Sequence, residues 1–237
     1  VVALTHFIKN KFIELEFPPK KLIVASDGVD LAMFKNLPDK TNCRRRLDLP
    51  HTLSIVGYIG RFKVFGHQEK GIPQLIEAIA QLDNPNILLL LVGGPREAVN
   101  DYWRLARKLN LKLNGLKFID QVTVTEVPFW MRACDVVTIP WPSIPFSAYA
   151  TSPLKLFEYM ASGTPIVASD LPSLREVLSE SNAILVKPGD AAALAGGIKN
   201  LLNNAVLANQ LARQAQDDVQ SFTWQNRVQK IMHHMEL

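Results

Sequence analysis

Leu53-Ser54-Ile55-Val56-Gly57-Tyr58-Ile59-Gly60, a helical pattern opened by Pro73, then Ile87-Leu88-Leu89-Leu90-Leu91-Val92: this stretch decides the fold. The first run reads as a strand. In the helix Leu75, Ile79 and Leu82 share one face, and proline suits a first helical turn. The second run is apolar at every position, as parallel strands covered by helices on both sides are. The alternation continues outward. Residues 97–109 form a helix with Ala98, Tyr102, Leu105 and Leu109 at helical spacing, and Leu116 to Ile119 a short strand. Thr125 is expected to cap a helix whose Val127, Trp130, Met131 and Cys134 face inward. Strands follow at 135–139, 164–168 and 183–186, with helices at 153–161 and 173–178 between them. A loop holding Pro140, Pro142 and Pro145 precedes Pro153, and three helices at about 190–203, 205–217 and 222–235 close the chain. Strand–helix alternation with short connections predicts an α/β fold: a Rossmann-like parallel sheet with helices on both faces.

Towards the N-terminus the pattern changes. Val1 to Leu4 reads as a strand entering Thr5, a helix cap, and Leu22 to Ala25 as a second strand before the turn Ser26-Asp27-Gly28-Val29-Asp30. Residues 31–50 are polar and read as irregular, with Pro38-Asp39-Lys40 as a hinge. The expected division is 1–40, 41–220 and a C-terminal helix over 221–237. The chain has 237 residues, 48% hydrophobic and 20% charged, so disorder is excluded as a global description. A formal charge of +4 is too weak to argue for nucleic acid. The two cysteines cannot make a disulfide framework, and no metal-ligand spacing occurs. A reducing, cytoplasmic location is expected, with peripheral attachment to the inner face of a membrane left open. The first residue is Val1, and a fragment of a longer protein is the preferred reading.

Open parallel sheets bind ligands beyond the C-terminal ends of their strands. Gly60-Arg61 leaves the first strand and Lys70-Gly71 precedes the next helix, so two cations and small residues suit an anion such as a diphosphate. The bland alternative is a solvated basic loop. No Gly-x-Gly-x-x-Gly follows a strand, which disfavours a nicotinamide or flavin. In Thr151-Ser152-Pro153-Leu154-Lys155-Leu156-Phe157-Glu158, Ser152 is expected to cap the helix, leaving the N–H groups of Leu154 and Lys155 as an anion seat. Glu158 lies three residues beyond Lys155 on the same face, where it would accept from a ribose diol. The bland alternative is a solvent-facing ion pair. Trp141, Phe146 and Tyr149 are read as loop packing, Cys134 as core, His67 as exposed, and Asp170 and Glu176 as caps or solvated acids. Arg44-Arg45-Arg46 is read as a solvated run.

Gly60-Arg61 with Lys70-Gly71, the run Ser152 to Asp170 (Ser-Pro-Leu-Lys-Leu-Phe-Glu-Tyr-Met-Ala-Ser-Gly-Thr-Pro-Ile-Val-Ala-Ser-Asp), and Glu176 resemble the group 1 (family 4) glycosyltransferases. Ser26 to Asp30 with Phe34 is similar to that family's inter-domain connector, and Ser221-Phe222-Thr223-Trp224 to the start of its final helix. The resemblance covers nearly the whole chain and implies the C-terminal, donor-binding half of a GT-B fold. It further implies a retaining enzyme that moves a sugar from a nucleotide diphosphate to a hydroxyl of a glycan, lipid or small molecule. No Asp-x-Asp site is evident, so no metal is invoked, and no cofactor is expected. By position Arg61 and Lys70 would hold the diphosphate and stabilise it as leaving group, with Gly60 and residues Ser152, Pro153, Leu154 and Lys155 completing the seat. Glu158 would bind the ribose, and the base would lie near Asp120, Gln121 and Val122.

Two departures stand out. The first acid of the family's Glu-x7-Glu motif falls at Ala150, which removes a contact to the donor sugar. The loop from Arg61 to Lys70 is also longer than usual, with Lys63 as the alternate cation. The acceptor site would lie in an N-terminal domain of which residues 1–26 resemble only the end, so this chain is expected to bind nucleotide but to turn over poorly alone. A sugar-nucleotide epimerase and a non-catalytic nucleotide-binding domain are the alternatives.

Overall fold

The structure, a computed structural model, describes residues 1–64, 68–112 and 115–235. β1 (Val2–Ala3) leads into α1 (His6–Glu14), capped by Thr5, whose Oγ1 accepts from the Ile8 N–H at 3.2 Å. β2 (Ile23–Val24) pairs with β1 in parallel. The stretch expected to be irregular instead contains α2 (Lys40–Arg46), whose cap Asp39 accepts from the Asn42 N–H at 2.8 Å. Then come β3 (Ser54–Ile59), a small antiparallel hairpin of β4 (Lys63–Val64) and β5 (Gln68–Glu69), α3 (Ile72–Leu82) and β6 (Ile87–Val92). They are followed by α4 (Val99–Lys108), β7 (Leu116–Ile119), α5 (Val127–Arg132) and β8 (Val136–Ile139). α6 (Pro145–Tyr149), not foreseen in the proline-rich loop, precedes α7 (Leu154–Ser162), β9 (Ile166–Ser169), α8 (Pro172–Arg175) and β10 (Ile184–Val186). Three helices end the chain: α9 (Ala191–Asn203), α10 (Ala205–Asp218) and α11 (Trp224–Met235).

The six longer-range strands form one parallel sheet in the order β10-β9-β8-β3-β6-β7. Chain order therefore runs outward in one direction from β3 through β6 to β7, then in the other from β8 to β10. That reversal puts a crevice between β3 and β8 at their C-terminal ends. Side chains alternate across the sheet as strand geometry requires. Ile55, Ile59, Leu88, Leu90 and Val137 face a core closed by α5 and α7. Val56, Tyr58, Leu89, Leu91 and Val136 face the opposite core, closed by α3, α4 and α9.

Thr125 does not cap α5. The loop is tied instead by the Glu126 carboxylate, which accepts from the Thr123 N–H at 3.1 Å, and the helix starts at Val127. The connector at 25–29 is clasped from the C-terminal end of the chain. Arg227 donates to the Ala25 and Ser26 carbonyls, and the Val29 N–H donates to Phe222 O at 2.9 Å. No helix among the described residues is long and apolar enough to cross a membrane.

Candidate functional site: a cationic crevice at the sheet reversal

At the crevice β3 pairs with β8 only at Val56↔Val136 and Gly57↔Val137, whereas its pairing with β6 continues to Ile59↔Val92. The strands splay beyond Gly57, and the Tyr159 hydroxyl from α7 fills the opening. It accepts from the Ile59 N–H at 2.8 Å and donates to Ile59 O at 3.3 Å, satisfying backbone groups that β8 no longer reaches. Sequence reading did not single out Tyr159, because its role depends on a partner a hundred residues away.

The start of α7 lies beside the end of β3. Lys155 runs back from the first turn to Gly60, which takes a φ of +135° that side-chain-bearing residues rarely adopt; a Cβ there would stand 2.7 Å from the Nζ and push the end of the lysine aside. Ser152 does not cap the helix. Its hydroxyl accepts from the Asp27 N–H at 2.8 Å and so fastens the connector, while Pro153 sits at the cap without a side-chain bond. The first-turn N–H groups of Leu154 and Lys155 have no carbonyl one turn earlier in helical register, and Leu154 is exposed. An uncapped helix start with the positive end of its dipole outward favours an anion. The Lys155 Nζ is buried without a hydrogen-bond partner among the described residues, 3.6 Å from the centroid of the Tyr58 ring. Burial first, and then the charge of Lys70, hold its pKa well below the usual lysine range, against the opposing pull of Glu158.

Lys70 also turns inward despite the long loop. The Phe62 N–H donates to Gly94 O at 2.6 Å and the Lys70 N–H to Phe62 O at 2.9 Å. The intervening chain is thus pinched off as the β4–β5 hairpin, and Lys70 returns close to Arg61. Gly71 then takes a φ of +81°, and a Cβ there would meet Pro140 O at 1.7 Å, so the two loops flanking the crevice abut with no room for a side chain. Lys70 Nζ stands 3.6 Å over the Trp141 ring and 5.6 Å from that of Phe146, and desolvation lowers its pKa to about 8. Trp141 is buried and serves as a platform under the cation, beyond the loop packing assigned to it. Lys63, the alternate, is paired with Glu69 at 3.0 Å.

Arg61 is exposed and lines a cleft of about 510 Å³ with Gly60, Gly93, Gly94, Gln121, Val122, Val124 and Val127, a slot of small and apolar walls. Asp120 is not among its walls; it lies 3.5 Å from Arg96 in an exposed pair. Glu158 is half-buried on α7. Desolvation raises its pKa, and the charge of Lys155 partly offsets that rise. Ala150, the C-terminal cap of α6, presents only a methyl group. Among the described residues no group of three or more His, Cys, Asp or Glu is placed to hold a metal.

The other candidates are held by partners of their own. Glu176 accepts from the His6 N–H at 2.8 Å and lies 3.0 Å from its Nδ1, and Asp170 is held by Arg175 at 2.6 Å. Tyr149 stacks on Phe7 at 4.7 Å, and Cys134 is core. His67 lies outside the described residues. The arginine run is not uniformly solvated: Arg44 is buried, and Arg46 lies 4.2 Å over the Phe129 ring. A second cavity, about 290 Å³, opens at the opposite end of the sheet beside Lys40 and Asp135, away from these cations.

A family model described as "Glycosyl transferases group 1" matches residues 54–204. The D-inositol 3-phosphate glycosyltransferase of Stackebrandtia nassauensis is 30% identical over 225 residues, covering 90% of this chain and 48% of that protein. Among solved structures, Anabaena HepE in complex with UDP aligns with a TM-score of 0.82 at 25% identity, over 100% of this chain and 63% of that one. The isolated C-terminal domain of a Francisella tularensis group 1 glycosyl transferase shares the fold, with a TM-score of 0.66 at 23% identity over 82% of this chain and 97% of that one. This chain spans about half the length of the curated relatives it matches. Its parallel α/β architecture is that of the GT-B glycosyltransferases.

Proposed function

Because this chain belongs to the group 1 glycosyltransferases, we propose that it binds the nucleotide-diphosphate sugar from which a glycosyl group passes to a hydroxyl acceptor with retained configuration. One observation carries the reading. Two inward-turned lysines, Lys70 and Lys155, meet the uncapped start of α7 beside Gly60 and Arg61, and among the described residues neither lysine has a carboxylate within ion-pair distance.

The donor diphosphate lies against the N–H groups of Leu154 and Lys155, with Lys70, Lys155 and Arg61 around it. The ribose diol donates to Glu158. The base enters the apolar slot beside Gln121 and Val122. As the bond to the sugar breaks, negative charge builds on the departing diphosphate. Cations and amides already fixed at that place lower the barrier without reorganising. Trp141 beneath Lys70 and Tyr58 beneath Lys155 hold the two side chains in position. The acceptor hydroxyl and the groups that select it belong to the rest of the catalytic assembly. The Stackebrandtia relative's name specifies D-inositol 3-phosphate, and Ala150 leaves the sugar to be recognised by other contacts.

A thermal-shift panel of uridine, guanosine, adenosine and cytidine diphosphates tests the reading. One of them should raise the melting temperature, with about 2.7 kcal/mol of stabilisation at a hundredfold excess over its Kd. Its nucleoside should do far less at the same concentration. No stabilisation by any diphosphate, or equal stabilisation by nucleosides, contradicts it.

A further inference from the structure

We propose that the ε-amino group of Lys155 is a proton-taking ligand for the donor diphosphate, uncharged in the free chain and protonated from solvent as the anion arrives. This rests on the diphosphate reading above. An ammonium has three N–H donors to satisfy. The Lys155 Nζ is buried, has no acceptor among the described residues, and is walled by the Tyr58 ring at 3.6 Å and by Gly60. A ring face compensates only part of the hydration that a buried cation loses. The titratable groups around it do not repair the deficit. From β3 comes Tyr58, whose hydroxyl donates to Arg61 O at 2.7 Å. From the segment before α3 comes Lys70, a like charge. On α7 itself are Tyr159, engaged by the backbone of Ile59, and Glu158, alone in favouring the charged form. A diphosphate changes this balance, since it brings both acceptor oxygens and negative charge to the amine. One proton moves from solvent to Nζ, an N–H···O bond forms, and no bond of the donor breaks. Affinity for the diphosphate therefore falls as pH rises above the free-chain value of Lys155, whereas nucleoside binding does not.

Calorimetric titration of uridine diphosphate into the chain at pH 8, in buffers of low and high ionisation enthalpy, reads the proton directly. At this pH the terminal phosphate is itself ionised, its second pKa being about 6. The apparent enthalpy should depend on the buffer, with Lys70, whose pKa lies at about 8, contributing part of a proton beside that of Lys155. In Lys70→Arg, which keeps that cation but removes its titration, about one proton should still be taken up per diphosphate, and this should vanish when Lys155→Arg, whose guanidinium stays charged, is added, while binding survives. Buffer-independent enthalpy in Lys70→Arg, or uptake that survives in the double variant, overturns the proposal. If the double variant does not fold, uptake in Lys70→Arg by itself sustains the proposal and its absence there overturns it. If none of the four nucleoside diphosphates binds, the underlying reading has failed and the proposal with it.

Discussion

Arg44→Leu is expected to lower stability by about 3 kcal/mol at pH 7, read as a drop in the urea midpoint with an unchanged slope. Arg44 is 5% exposed. It donates from Nε to Ala133 O at 2.9 Å, from Nη1 to Leu53 O at 3.1 Å and from Nη2 to Asp135 Oδ2 at 2.5 Å. Asp135 also accepts from the Ile55 N–H at 2.7 Å and from Lys40. One guanidinium therefore ties α2 to the starts of β3 and β8, at the end of the sheet opposite the crevice. Removing it leaves a carboxylate and two carbonyls short of a partner. Lys40, half exposed, still touches the carboxylate, which keeps the cost near the lower end of the usual range for breaking a buried pair. The pH dependence has a definite sign. Burial pushes the Asp135 carboxyl up, but hydrogen bonds from Lys40 and Ile55 and the charges of Lys40 and Arg44 outweigh it and hold it below its ordinary value. A depressed carboxyl stabilises the fold above its unfolded pKa, about 3.9, and loses that contribution as pH falls through the folded value. Without Arg44, burial gains weight against the cations and the carboxyl shifts upward, so the gap between variant and wild type should be widest near neutrality and narrow towards pH 4. A gap under 1 kcal/mol, or one indifferent to pH, contradicts this role.

Arg61→Ala is expected to weaken binding of the preferred nucleoside diphosphate by about 1.5–3 kcal/mol, some ten- to hundredfold, with nucleoside affinity unchanged. Arg61 is exposed at the mouth of the crevice and its backbone is fixed by the Tyr58 hydroxyl, so truncating the side chain removes a charge without disturbing the turn. Its place between the lysines and the apolar slot suits contact with phosphate rather than base. Matched titrations of diphosphate and nucleoside separate the two. Equal losses for both ligands would assign Arg61 to the nucleoside instead.

What the sequence revealed and what it hid divide along the range of the interactions. Ile87 to Val92 announces a strand covered on both faces because every position in it is apolar, and Pro73 and Thr5 mark helix starts by local chemistry. Chain order alone then places Gly60, Arg61 and the start of α7 at one end of the sheet. Arg44, by contrast, reads as surface charge until its partner 91 residues later is in place. Ser152 reads as a helix cap, yet its hydroxyl is claimed by an N–H 125 residues earlier. The same holds for Lys155 and Glu158. Local spacing allows an exposed pair, whereas the lysine turns inward against Gly60 and the face of the Tyr58 ring. Lys70 was legible as a cation, but its return to Arg61 depends on the hairpin pinched off at Phe62, whose two strands of two residues each are too short to declare themselves by periodicity.

The placement of the diphosphate is read most directly by amide chemical shifts. In a titration of the isotopically labelled chain with uridine diphosphate, the N–H resonances of Gly60, Arg61, Leu154 and Lys155 should move most, and uridine should leave Leu154 and Lys155 nearly still. Saturable binding that leaves Leu154 and Lys155 unmoved, with shifts gathered instead around Lys40 and Asp135 at the far end of the sheet, would contradict the account.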